Sequence, residues 1–238
     1  AHPDLMPVEY SIGYVGSYSP YRVFQSEAWR HWTCGRFGLE NTRFFDAVIP
    51  GFFEVKKFPQ HDPEDYLVYV GRLVPRKGIG VVCDVAKAAG VHVKFIGHGD
   101  KTLITYGEYL GALHEAERNE IVSRARALMC PTLYVEPYGC ISPEAQLSGV
   151  PVISTDCGGF TETVQHGLTG FRCNLFGEFV DAVKKIDALD RKYIRRRARA
   201  LYGMEPATRA YRAYFERLNT LWDKGWQTSH YALQDRSY

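Results

Sequence analysis

Residues 65–78 read DYLVYVGRLVPRKG, and this stretch decides the fold. Five apolar residues run without a polar break, stop at Gly71, and give way to a basic turn. The residues that follow, GIGVVCDVAKAAG, have apolar positions at helical spacing and a closing Gly90. An apolar strand passing through a glycine turn into a helix is the opening of a βαβ unit. Working outward, VHVKFIG repeats the strand-plus-glycine pattern from residue 91, ALMCPTL is a further short apolar run, and VPVIST another. Helical patterns separate them, at roughly Glu115 to Arg126, Pro143 to Ser148, Thr161 to His166 and Phe176 to Leu189. Buried strands alternating with helices predict an α/β fold: a doubly wound, Rossmann-like parallel sheet covered on both faces. Ligands of such sheets bind beyond the carboxyl ends of the strands, where the turns after Val70, Ile96 and Leu133 all fall.

Three segments are expected. Residues 1–62 form a small, aromatic-rich N-terminal piece, with strands at YSIGYVG, YRVFQS and AVIPGFF. Residues 63–205 form the Rossmann-like domain. Residues 206–238 form a C-terminal helix and tail packing back on the N-terminal piece through Tyr211, Tyr214, Phe215 and Leu218. The chain has 238 residues, 45 % of them hydrophobic, and a net charge of +2, so nothing in the total demands nucleic acid. No apolar run approaches the roughly 20 residues of a spanning helix. The six cysteines have no metal-ligand spacing and read as buried thiols of a reducing, cytoplasmic setting.

The chemistry concentrates in EPYGCISPEA, Glu136 to Ala145. Ser142-Pro143-Glu144 reads as a helix start, with Ser142 as the N-cap and Glu144 in the first turn. Taken alone, Glu144 would do no more than stabilise the helix dipole. Gly139 just before it, however, allows backbone to approach a ligand closely. Glu136, on a strand-end loop, can accept hydrogen bonds from sugar hydroxyls, and Glu144 suits a ribose. Arg72, Arg76 and Lys77 at the same sheet edge pair a planar fork with a point charge, a combination suited to a diphosphate. The spacing matches neither a Walker loop nor a dinucleotide fingerprint, and a basic turn by itself is commonly only a solvated loop. Trp29 and Trp32 are read as core rather than as sugar-stacking rings. The six basic residues of DRKYIRRRAR, Asp190 to Arg199, are read as a solvated helix face, with an anionic membrane surface as the minor alternative.

Five motifs in order carry a resemblance: G-R-L-x-x-x-K-G from Gly71, F-I-G-H-G-D from Phe95, E-P-Y-G-x-x-x-x-E-A from Glu136, G-V-P-V-I-S-T-D-C-G-G from Gly149 and H-G-L-T-G-F from His166. The set resembles the donor-binding half of the retaining glycosyltransferases of family four, with the GT-B fold and E-x7-E motif. Ala47 to Phe58 resembles the segment that joins that family's two domains. The resemblance implies that Arg72, Lys77 and Glu136 are the catalytic residues, Arg72 and Lys77 clamping the donor diphosphate and Glu136 positioning the sugar. It implies that Glu144 binds ribose, that Gly139, Cys140, Ile141 and Ser142 offer backbone N–H groups, that Gly71 is a donor-binding position, and that Leu113 meets the nucleobase. It also implies no metal and no cofactor beyond the UDP- or GDP-linked sugar itself. The implied partners are a nucleotide-sugar donor and a saccharide, lipid-linked or small-molecule acceptor; a peripheral membrane contact and a homo-oligomer stay open. The sequence departs from the family in its short N-terminal part. A nucleotide-sugar-binding module without transfer therefore remains an alternative, and a hydrolase or an epimerase is a weaker one.

Overall fold

The computed structural model describes residues 6–38 and 45–223. The strands are β1 (Val8–Ile12), β2 (Tyr21–Phe24), β3 (Ala47–Val48), β4 (Tyr66–Val70), β5 (His92–Ile96), β6 (Glu108–Tyr109), β7 (Ala127–Cys130), β8 (Val152–Thr155) and β9 (Gly170–Cys173). The helices are α1 (Glu27–Arg36), α2 (Ile79–Ala89), α3 (Glu115–Arg124), α4 (Ile141–Leu147), α5 (Phe160–Thr163), α6 (Phe176–Lys185), α7 (Arg191–Tyr202) and α8 (Met204–Asp223).

Strands β4 to β9 form one sheet in the order β6-β5-β4-β7-β8-β9, every pairing parallel. Successive residues of β4 serve opposite faces, as the pleat requires. Leu67 and Tyr69 join a core with Ile79, Val82 and Phe179 under α2 and α6. Tyr66 and Val68 join another with Val122, Ala145 and Phe160 under α3, α4 and α5. Burial on both faces explains why these strands read as unbroken apolar runs. The sheet reverses direction of growth between β4 and β7, so a crevice opens beyond Val70 and Cys130.

A second sheet, β1-β2-β3, is also parallel. Its Tyr21 and Val23 pack with Phe45 and Ile49 against Tyr214 and Leu218 of α8, and the Tyr214 hydroxyl donates to the Phe45 carbonyl at 3.0 Å. Of the other two aromatics expected on this helix face, Tyr211 is partly buried and packs against the same cluster, whereas Phe215 is 48 % exposed. The tail beyond residue 223 lies outside the described residues. Trp29 packs with Ile12 and Phe24 and stacks on Trp32 at 4.4 Å, so this pair is core.

The N-terminal sheet is seated on the larger one by polar contacts at the start of α1. Ser26 caps the helix by accepting from the Trp29 N–H at 3.0 Å, and its hydroxyl also donates to the Pro137 carbonyl. The Glu162 carboxylate accepts from the Glu27 and Ala28 N–H groups at 3.0 and 2.8 Å. Ser26→Ala removes a cap and the seam contact together, and should cost about 1–2 kcal/mol in denaturant unfolding. A loss below about 0.5 kcal/mol, the scatter of plain surface changes, would show the seam to be idle.

Two local readings are corrected. Ser142 is not the cap of α4: the helix begins at Ile141, because Gly139 in the left-handed region (φ +73°) turns the chain earlier. The Ser142 N–H donates to the Gly139 carbonyl at 2.8 Å, and its buried hydroxyl donates to Thr163 and accepts from Gln146. The basic face of α7 is solvated only in part. Arg191 donates to the Ser123 and Ala125 carbonyls and Arg195 to those of Phe58 and Leu147, so two guanidinium groups close off the ends of neighbouring segments.

Candidate active site

The crevice between β4 and β7 is a cleft of about 410 Å³. One wall is the turn after β4, with Gly71, Arg72 and Lys77. The opposite wall and floor are Thr132, Tyr134, Glu136, Gly139, Cys140, Ile141 and Glu144. The basic turn reaches the cleft because it is pressed onto the end of β7. Gly78 is left-handed (φ +76°), and a Cβ there would stand 2.0 Å from the Pro131 carbonyl oxygen. The Leu133 N–H donates to the Arg76 carbonyl at 2.9 Å across the same junction. Gly139 does the equivalent on the other wall, where a Cβ would come within 2.5 Å of the Phe160 ring.

Inside the cleft both carboxylates are paired with cations. Lys77 Nζ donates to Glu136 Oε2 at 2.5 Å, and the Tyr134 hydroxyl donates to the same oxygen at 2.9 Å. Burial alone would pull the Lys77 ammonium down, but Glu136 and Tyr134 hold it above the usual lysine range. The Lys77 ammonium also lies 5.1 Å from the centre of the Tyr134 ring, and the Arg76 guanidinium 5.0 Å, both within cation–π range. Glu144 pairs with Arg118, Nη2 to Oε2 at 2.8 Å. Burial pushes the Glu144 carboxyl above the ordinary carboxylate range, while Arg118 pulls it back. Arg72 has no ion-pair partner among the described residues. Two neutralised pairs and a spare cation make a site that gains from an arriving dianion.

Of the residues predicted for the site, Glu136, Arg72, Lys77, Glu144, Gly71, Gly139, Cys140 and Ile141 border this one cleft. Ser142 and Leu113 are not among its lining residues. Ser142 is fully buried behind it, and Leu113 packs against the core under α3. Arg118, Tyr134, Gln25 and Gly13 line the cleft without having been predicted, the last two from the residues that follow β2 and β1. The cysteines divide: Cys34, Cys83, Cys130 and Cys173 are buried thiols as expected, but Cys157 is half-buried and Cys140 is exposed in the cleft wall. Burial of its surroundings, with Glu144 adding to it, raises the Cys140 thiol, so it is not a ready nucleophile.

Residues 64–188, more than half of the sequence, match the family described as Glycosyl transferases group 1. The chain belongs to that family. The matched region contains every side chain of the two ion pairs. Among curated relatives of this group 1 chain, glycogen synthase of Mycobacterium tuberculosis is 28 % identical over 131 residues, 48 % of this chain and 31 % of the relative. The group 1 chain thus spans about a third of the length of the curated relatives it matches. Among solved structures, Anabaena HepE in complex with UDP and glucose superimposes with a TM-score of 0.74 at 14 % identity, over 88 % of this chain and 71 % of that one. Sucrose-phosphate synthase of Thermosynechococcus elongatus gives 0.69 at 19 % identity, over 85 % and 59 %. At such identities the likeness is one of fold, and the fold is the predicted α/β, Rossmann-like GT-B arrangement. Among the described residues of this group 1 chain, no helix is long and apolar enough to cross a membrane.

Proposed function

We propose that this chain carries the donor site of a glycosyltransferase that moves a sugar from a nucleoside diphosphate to an acceptor hydroxyl with retention of configuration. One observation supports it above the rest. Arg72 and Lys77 from one turn, and Glu136 and Glu144 from a segment 59 residues or more along the chain, border a single cleft at the topological switch point. Arg72 and Lys77 face the diphosphate, Glu136 the transferred sugar and Glu144 the ribose. The backbone of Gly139, Cys140 and Ile141 lies between the two carboxylates, where the phosphates bridge sugar to ribose. HepE, similar in fold, was solved with UDP and glucose, which agrees with a UDP-linked donor.

In this reading the acceptor oxygen attacks the anomeric carbon on the face from which the diphosphate leaves. The bond from that carbon to the phosphate oxygen breaks, and the acceptor's proton passes to the departing phosphate. Arg72 and Lys77 offset the charge that grows on the leaving group, so no protein base and no metal is called upon. Gln25 and Gly13 bring the N-terminal piece to the cleft, and this reading puts the acceptor on that side.

Thermal-shift screening against UDP, GDP and their sugars tests the donor assignment, since a ligand bound only by the native state raises the melting temperature. No shift with any of them would refute it. A pH profile tests Glu144 separately. The ribose hydroxyls need an ionised acceptor, and this carboxyl is raised by burial. Donor affinity should therefore be full at neutral pH and fall as the pH drops through the folded-state pKa, which lies above the ordinary value of 4.5. Glu144→Gln should be weaker throughout, with that acid limb flattened. An unchanged acid limb in Glu144→Gln would assign it to another group.

A further inference from the structure

We infer that Arg118 is a positioning residue that holds Glu144 ionised and aimed at the nucleotide ribose, and so sets the preference for ribose over deoxyribose without touching the nucleotide. The inference rests on the nucleoside-diphosphate reading and adds to it a residue from outside the glutamate segment and the basic turn.

Helix α3 reads EAERNEIVSR and has the look of a polar surface helix. Its other arginine behaves that way: Arg124 pairs with Glu120 one turn earlier at 2.6 Å and reaches Glu64 at 3.6 Å. Arg118 turns inward to the cleft instead, and the reason is its neighbour. Asn119 is 2 % exposed, and its Nδ2 donates to the Lys57 carbonyl at 2.9 Å. That bond leaves Asn119 Oδ1 facing Arg118, where it accepts from Nε at 3.2 Å and Nη2 at 3.0 Å. A relay therefore runs from the segment after β3, through Asn119 and Arg118, to Glu144. A long flexible side chain held at two of its nitrogens loses little further freedom in presenting its charge.

The contact with Glu144 has a second property. Nη2 lies 2.8 Å from Oε2, close enough for ion pairing, yet Oε2 is buried and accepts no aligned hydrogen bond among the described residues. A carboxylate so placed needs a neighbouring cation to remain charged, and a charged carboxylate only accepts hydrogen bonds. Arg118 supplies the cation at the buried Oε2, and the Glu144 side chain, 15 % exposed and lining the cleft, keeps its other oxygen free to accept from that side. The complementary group is a neutral donor pair entering from the cleft, which is what vicinal ribose hydroxyls offer.

The test is a double-mutant cycle on nucleotide binding, measured by calorimetry with UDP, GDP and their 2′,3′-dideoxy forms. Wild type should prefer the ribose form of its own base by about tenfold or more, as expected for hydrogen bonds to a charged acceptor. Arg118→Gln should cut that preference to about threefold or less, and should have no further effect in a Glu144→Gln background, because it acts through that carboxylate. Arg118→Lys keeps a cation but cannot hold Asn119 by a fork; it should fold where the Gln variant does not, and lose the preference in part. Undiminished preference in either single variant would overturn the inference. So would an equal loss on Arg118→Gln with and without Glu144, since that means direct contact. Failure of wild type to bind any nucleotide would sink the donor reading along with this one, whereas the other negative results leave the donor reading standing.

Discussion

Lys77→Ala is expected to slow sugar transfer by about 10²–10³-fold, the usual cost of removing one preorganised group aimed at developing charge. Donor affinity should change by less than about tenfold, because Arg72 remains and the ground-state diphosphate is already solvated and delocalised. The structure adds a complication to this expectation. Lys77 is bonded to Glu136, so its removal leaves that carboxylate, among the described residues, with Tyr134 as its hydrogen-bond donor. Two variants separate the effects. If Lys77 worked only by orienting Glu136, Lys77→Ala would add nothing to Glu136→Gln; if it meets the leaving group, the losses should compound. Lys77→Arg keeps the charge but exchanges a compact ammonium for a planar fork in a space bounded by the Tyr134 ring, and should recover only part of the rate. Single-turnover rates with donor at saturation, beside calorimetric affinities, give the split. A variant with normal turnover and only a raised KM would remove Lys77 from the chemical step.

Gly78→Ala should destabilise the fold by about 3 kcal/mol or more. A left-handed alanine costs roughly 1–3 kcal/mol, and the clash adds an overpacking cost of similar size. The methyl would stand 2.0 Å from a backbone oxygen, which cannot swing aside as a side chain can. Because Gly78 joins the basic turn to α2, relief of the clash would also push Lys77 away from Glu136, and donor binding should fall with stability. Gly80, two residues later, is the control: a Cβ there would have nothing within 4 Å, and the residue sits inside α2. Gly80→Ala should raise stability by about 0.4–1 kcal/mol. Urea midpoints at constant slope measure both. A loss under about 1 kcal/mol for Gly78→Ala would mean that the turn is not pinned against β7.

Much of this site was legible because its parts are locally encoded. A run such as YLVYV is buried on both faces only in a covered parallel sheet, and the glycine that ends it marks the edge where the cleft opens. Glu136 and Glu144 lie eight positions apart on one loop-to-helix segment, and Arg72 and Lys77 on one turn, so each pair was visible as a unit. Ser142 failed because a local Ser-Pro-Glu pattern was outvoted by the left-handed turn at Gly139, which started α4 sooner. Cys140 was misjudged for the same reason, since the earlier turn carried its side chain into the cleft wall. Arg191 and Arg195 look like any other members of a basic helix. Only the carbonyls of Ser123, Phe58 and Leu147, brought up by other segments, make them structural.

The sequence by itself determined the alternation of strand and helix, the sheet edge at which the cleft opens, and the two pairs of charged residues that border it. These follow from periodicity and from glycines whose effect is felt within a few residues. Tertiary structure alone decided which charge meets which: that Lys77 is spoken for by Glu136, and that an arginine on an unremarkable polar helix is turned by Asn119 toward Glu144. Coulombic and hydrogen-bond partnership depends on separations of about 3 Å between atoms. Such separations are set by how helices and turns pack, so no spacing along the chain announces them.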